Sequence, residues 1–193
     1  MRVFIAVLLL LFSFQSWTKA DDIRDFEIEG ISIGDSALNY FSESEIIKNI
    51  RQDAYEGSDG NFYDIFLKKD LSEIYDKVSL AFKKNDKKYI IYSMMADNYY
   101  KEDFENCLKK KIQILDDIKD VIGSYEKIED DTYKRKIDKS GKSYDESTTI
   151  YYKNGDNIRL ICTNWAESMN ITDRLTIAIN TKEFFDWMVN EAY

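Results

Sequence analysis

Two apolar-polar runs, 148–153 and 156–165, flank Asn154-Gly155, and only one strand register lets both bury the same face. A strict two-residue turn would set Ile150 opposite Arg159. A three-residue Lys153-Asn154-Gly155 loop, with Gly155 in the left-handed region as a bulge, pairs Ile150 with Ile158 instead. That register also brings Tyr152, Leu160 and Cys162 to the same side, so the hydrophobic pattern selects the bulge. A second hairpin is predicted upstream. There Val78, Leu80 and Phe82 alternate with polar residues, 89–95 is more continuously apolar, and Lys84-Asn85-Asp86-Lys87 joins the two runs.

Between the hairpins lies the strongest helical pattern, 102–122. Phe104, Cys107, Leu108, Ile112, Leu115, Ile118 and Ile122 form one stripe, acids fill the first turn, and Gly123 stands at the C′ position. Asp35 is expected to cap a short helix running through Phe41. Ser42 and Glu45 form a capping box for a second, with Ile46, Ile47 and Ile50 turned inward. Residues 25–28, 62–67 and 174–179 read as strands. Asn180 and Glu183 start a closing helix with Phe184, Phe185, Met188 and Ala192 inward. The segments 56–61 and 124–146 read as exposed loops. With paired hairpins and no repeated βαβ unit, the expected fold class is α+β. It is a single domain, an antiparallel sheet of two hairpins plus further strands, covered over one face by one long central helix and a C-terminal helix.

Residues 1–20 have the form of a secretory signal peptide: Met1-Arg2, an apolar run over 3–14, and Thr18-Lys19-Ala20 as a cleavage site. The apolar run spans only about 18 Å as a helix against the ~30 Å of a bilayer core. The domain is therefore expected to be 21–193, periplasmic or secreted, with no stable membrane span after cleavage. That part carries 25 basic and 36 acidic side chains, net −11, which repels nucleic acid and anionic lipid. There is no histidine, which excludes imidazole as general base or metal ligand within the chain. Cys107 and Cys162 are the two cysteines, an even count that suits one disulfide in an oxidising compartment. One lies on the helix stripe and the other on the Ile158–Leu160 strand face, so a Cys107–Cys162 bridge is expected.

The segment Glu29-Gly30-Ile31-Ser32-Ile33-Gly34-Asp35-Ser36, with Asn39-Tyr40-Phe41-Ser42 after it, resembles the opening of a family of small secreted proteins of unknown function from marine alphaproteobacteria. Cys107 in the long helix and Ile161-Cys162-Thr163-Asn164-Trp165 fit the same pattern. The resemblance implies export from a bacterium, hence the periplasm. It implies no activity and no site.

Several motifs imitate chemistry. Gly34-Asp35-Ser36-Ala37 resembles the nucleophile block of the GDSL lipases and esterases, but Ala37 replaces leucine, no Gly-x-Asn-Asp block follows, and no histidine can take the serine proton. Gly141-Lys142-Ser143 imitates the end of a phosphate-binding loop, yet Lys136 stands where that loop needs glycine. Asp116-Asp117 and Asp130-Asp131 are carboxylate pairs that so acidic a chain produces by chance. Glu56, Asp59, Asn61 and Asp64 lack the spacing of a calcium loop, and Asn170-Ile171-Thr172 reads as a turn. Tyr89, Tyr92, Tyr151 and Tyr152 fall in predicted strands, where aromatics pair across the sheet. No catalytic, cofactor-binding or metal residue is assigned. The expectation is an exported, non-catalytic binding or interaction domain with an unknown protein or small-molecule partner. The alternatives are a histidine-free hydrolase of GDSL-like (Ser36) or paired-carboxylate type, and an acidic inhibitor or immunity-type protein that masks a basic enzyme.

Overall fold

The bulged hairpin at Gly155 is present. In the computed structural model, which describes residues 19–51, 61–67, 74–101 and 103–192, Ile150 lies opposite Ile158. Tyr152 N–H donates to the Asp156 carbonyl at 2.9 Å and Gly155 adopts φ 86°. The predicted leader, apart from Lys19 and Ala20, lies outside the described residues, as does most of the 56–61 loop. Ala20 bridges to Ile122, with its N–H donating to the Val121 carbonyl at 2.9 Å.

The chain folds as a mixed α and β structure around a large antiparallel sheet. Its first strands, β1 (Glu27–Ile28) and β2 (Ile31–Ser32), form a small separate ribbon around Glu29-Gly30, both with positive φ. The main sheet comprises β3 (Ile50–Arg51), β4 (Phe62–Leu67), β5 (Lys77–Lys83), β6 (Ile91–Tyr100), β7 (Lys127–Lys134), β8 (Tyr144–Tyr151), β9 (Asn157–Asn164) and β10 (Asp173–Asn180). Their spatial order is β3-β4-β5-β6-β10-β9-β8-β7, antiparallel throughout. Among the described residues the α-helices are α1 (Glu43–Lys48), α2 (Phe104–Val121) and α3 (Lys182–Asn190).

Strand registers divide the side chains cleanly. Ile65, Val78, Leu80, Met94, Ala96, Ile158, Leu160, Cys162, Leu175 and Ile179 share one face. The N-terminal segment seals half of that face with Ile23, Ile28, Ile31, Ile33, Ala37 and Ile46, all buried. Helix α2 seals the other half through Cys107, Phe104, Leu108 and Ile114 against Cys162 and Leu175. Cys107 and Cys162 are bonded, with Cα atoms 6.0 Å apart, inside the separation a bridge requires.

Several expectations need correction. Both predicted hairpins, β5–β6 and β8–β9, lie in a sheet of eight strands among the described residues, and α2 shares its face with the N-terminal segment rather than covering it alone. Helix α3 is on the opposite face, where Phe184 and Trp187 pack on Phe62 and Ala81. Residues 127–134 are the edge strand β7, not a loop; being almost wholly exposed, they show no burial alternation in the sequence. Gly123 has no left-handed φ; it lies where Asp21 crosses the end of α2, so close that a Cβ would strike the Asp21 carboxylate. Helix α1 stops at Lys48, leaving Ile47 55% exposed and Ile50 in a strand. Tyr89 has φ 50° and precedes β6, and Tyr152 follows β8; both are buried beside the strands. Thr181, not Asn180, caps α3, accepting from Phe184 N–H at 3.3 Å, while Asn180 is buried between Ser93 and Asn157.

Candidate functional site

The motifs that imitate catalysis are occupied by structural duties. Ser36, not Asp35, caps the 3-10 turn Ala37–Asn39: its Oγ accepts from Leu38 N–H at 3.2 Å and donates to the Lys88 carbonyl at 2.6 Å. Asp35 instead accepts from Tyr40 OH at 2.5 Å. Ser36→Ala is expected to lower stability by about 1 kcal/mol, the usual cost of losing a cap, and to leave any measured activity unchanged. Thermal melts beside activity assays check both.

The Gly141-Lys142-Ser143 turn already holds an anion of its own. The Asp138 carboxylate accepts from Ser143 Oγ (2.7 Å), Ser143 N–H (2.8 Å), Ser140 Oγ (2.9 Å), Ser140 N–H (2.8 Å) and Lys142 N–H (3.2 Å). These donors, the Ser143 hydroxyl first, hold Asp138 well below the usual carboxylate range. A carboxylate depressed in the folded state stabilises above its unfolded pKa, and that contribution disappears as pH falls through the folded value. Asp138→Asn should therefore melt below the parent at pH 7. The gap should close as pH drops from about 4 toward 2, read from melts across that range.

The carboxylate pairs do not converge on a substrate position. Asp116 and Asp117 are exposed on α2, and Asp130 and Asp131 alternate in β7. Among the described residues, no three His, Cys, Asp or Glu side chains are grouped to hold a metal ion.

Two features do concentrate polar chemistry. The first is a cleft of about 370 Å³ between α2 and the β7–β8 edge. Its walls are Leu108, Ile112 and Leu115 on one side and Asp130, Glu146 and Thr148 on the other. Lys111 was not singled out in the sequence, yet only 9% of it is exposed. It donates from Nζ to the Glu146 carbonyl at 3.3 Å, and burial lowers its pKa.

The second is the sheet face that α2 does not touch. Beyond residue 20 the chain has five arginines against twenty lysines, and four of the five (Arg51, Arg135, Arg159 and Arg174) belong to this face. Their surroundings differ. Arg51 Nη1 is 3.5 Å from Asp64 Oδ2, and its guanidinium carbon is 4.0 Å from the Phe66 ring centroid. Lys77 joins them, 3.5 Å from the same centroid and 3.8 Å from Asp97 Oδ2. Arg135 Nε reaches both oxygens of Asp145 (2.9 and 2.8 Å), its Nη2 donates to Thr163 Oγ1 at 3.2 Å, and Trp165 is 5.3 Å away. Arg159 donates to Thr149 Oγ1 at 3.4 Å and Tyr133 OH at 3.0 Å, with the Phe185 ring at 5.3 Å.

Arg174 is different. It projects from β10 between Tyr99 of β6 and Thr163 of β9, and its buried Nε has no hydrogen-bond partner. Trp165 Nε1, two residues beyond Thr163, is likewise buried without a partner. Burial pushes the Lys77 pKa down; Asp97 and Asp64 oppose this, while Arg174 and Arg51 add to it. The sequence signal for this face was the scarcity and strand parity of arginine, which is legible only once the strands are paired.

No family model, curated protein or solved structure matches the chain.

Proposed function

We propose that the chain is an exported, non-catalytic binding domain that meets its partner through the arginine-bearing face of the sheet. The observation that carries this reading is the placement of four of the five arginines there, with aromatic rings beside three of them. Arginine offers a planar fork of donors that lysine lacks, so its concentration on one face suits recognition more than solubility. Use of Ser36 as a helix cap supports a non-catalytic role. The Cys107–Cys162 bridge suits an oxidising compartment, in keeping with export and with the periplasm that the resemblance implies. No helix among the described residues is long and apolar enough to cross a membrane.

The test has two arms on the purified protein from Asp21 onward. Esterase and glycosidase substrates should show no turnover. A panel of small anions, cations and neutral ligands should include at least one that raises the melting temperature. That stabilisation should vanish in the Arg135→Gln, Arg159→Gln, Arg174→Gln triple variant. Turnover, or ligand binding that survives the triple variant, would overturn the reading.

A further inference from the structure

We propose that Asn154 is a deamidation site held in check by the folded β8–β9 turn, so that its conversion to aspartate or isoaspartate marks chains in which this hairpin has opened.

Asn154 is the only asparagine in the chain followed by glycine. A glycine nitrogen is the least shielded of backbone nucleophiles, because no side chain stands beside it. Closure into a succinimide depends on that access. The Gly155 nitrogen gives its proton to solvent and attacks Asn154 Cγ, the Cγ–Nδ2 bond breaks, and the side-chain nitrogen leaves as ammonia. Water then adds to either carbonyl of the five-membered imide, and the ring opens to aspartate or to isoaspartate. Water is the one co-reactant, and nothing is oxidised or reduced.

The fold uses both residues of this labile pair. Gly155 adopts φ 86°, and a Cβ there would lie 2.6 Å from Lys182 Cδ. Asn154 holds Asp156 with both ends of its carboxamide: Oδ1 accepts from the Asp156 N–H at 3.0 Å, and Nδ2 donates to Asp156 Oδ2 at 2.7 Å. An ionised aspartate at 154 can make the first bond but not the second.

The same bonds restrain the reaction. The Gly155 N–H donates to the Tyr152 carbonyl at 2.9 Å, and Asp156 fixes the carboxamide at both ends. Bringing Cγ onto the Gly155 nitrogen pulls these bonds apart. Asn154 is exposed, so water reaches it and the restraint is conformational. Local opening of the hairpin lifts it.

Conversion then works against reclosure. Asp156 is buried, and its other oxygen accepts from Lys182 N–H at 2.8 Å at the start of α3. A carboxylate at 154 sets a like charge against Asp156 where a donor stood. Isoaspartate also adds a methylene to the main chain, inside a turn closed by the Tyr152 N–H on the Asp156 carbonyl at 2.9 Å.

The test incubates the protein from Asp21 onward, disulfide intact, in mildly alkaline buffer with and without concentrated guanidinium. Peptide mapping by mass spectrometry follows amide-to-acid conversion at each asparagine, and an isoaspartyl methyltransferase separates the two products. Asn154 should convert before any other asparagine, and at least tenfold more slowly in native buffer than in guanidinium. Equal rates in the two solvents, faster conversion in native buffer, or first conversion at another asparagine overturns the proposal. Asn154→Asp, made directly, should melt below the parent. A melting temperature equal to the parent's or above it overturns the penalty on reclosure. Failure of that variant to fold supports the penalty, and the rate comparison on the parent chain still decides the site.

Discussion

Replacing both cysteines, Cys107→Ala with Cys162→Ala, is expected to cost about 4 kcal/mol in the chain-entropy account of cross-links. The bridge joins residues 55 apart, and closing a loop of that length removes much of the unfolded chain's freedom. For a domain of this size the loss corresponds to a fall in melting temperature of about 8–16 °C. The location makes the effect local as well as global. The bridge ties α2 to β9 at a small cluster where Leu175, Tyr100 and Phe104 complete the packing. The N-terminal segment and its isoleucines hold the other half of that face, where α2 contributes Ile118, so α2 is the element expected to loosen first. Hydrogen exchange on the double variant should show α2 amides losing protection ahead of those in β5 and β6. Equal melting of the double variant and the parent would refute a stabilising bridge.

The bridge was legible in the sequence because both cysteines lay on apolar stripes, which face each other when the long helix covers that side of the sheet. The same logic found the Ile150–Ile158 register, strand β4 and the Ser42–Glu45 capping box, where Glu45 N–H donates to Ser42 Oγ at 3.3 Å and Ser42 N–H to Glu45 Oε2 at 2.9 Å. Burial on one side leaves a periodic trace, and these elements have it. Strand β7 does not: Lys-Ile-Glu-Asp-Asp-Thr-Tyr-Lys is an edge strand, and its charges suit an edge that must resist pairing with another chain. Helix α2 was found but rotated in part, because Lys111 occupies the inner line and Ile112 is 57% exposed. A buried lysine between apolar neighbours reads as a surface residue until the Glu146 carbonyl that accepts from it is known. The side of the sheet taken by α3 depends on how the chain leaves β10, which composition does not encode. The arginine face was hidden for the same reason: Arg51, Arg135, Arg159 and Arg174 are scattered in sequence and become neighbours through strand order alone.

The second large effect concerns that face. Asp145 is fully buried, and both its oxygens are within 2.9 Å of Arg135 Nε, whose side chain keeps 31% of its surface in water. Removing one partner of a buried pair costs about 3–5 kcal/mol because the other charge loses its compensation. Asp145→Ala is expected to cost about 3 kcal/mol, the low end, since Arg135 retains contact with solvent and with Thr163. Arg135→Met should cost more, because it strands a fully buried carboxylate that keeps no contact with solvent. The double variant Asp145→Ala, Arg135→Met should then be more stable than Asp145→Ala alone, because two apolar groups replace an ion pair whose desolvation was never fully recovered. A double-mutant cycle in denaturant measures this directly, and additive losses would show that the pair is not coupled. The outcome bears on binding as well. Arg135 is held by Asp145 and Thr163, so it serves as a fixed wall beside Trp165, while Arg174 is left with its Nε donor unclaimed. On the binding reading proposed above, an anchored Arg135 gives the face a fixed shape.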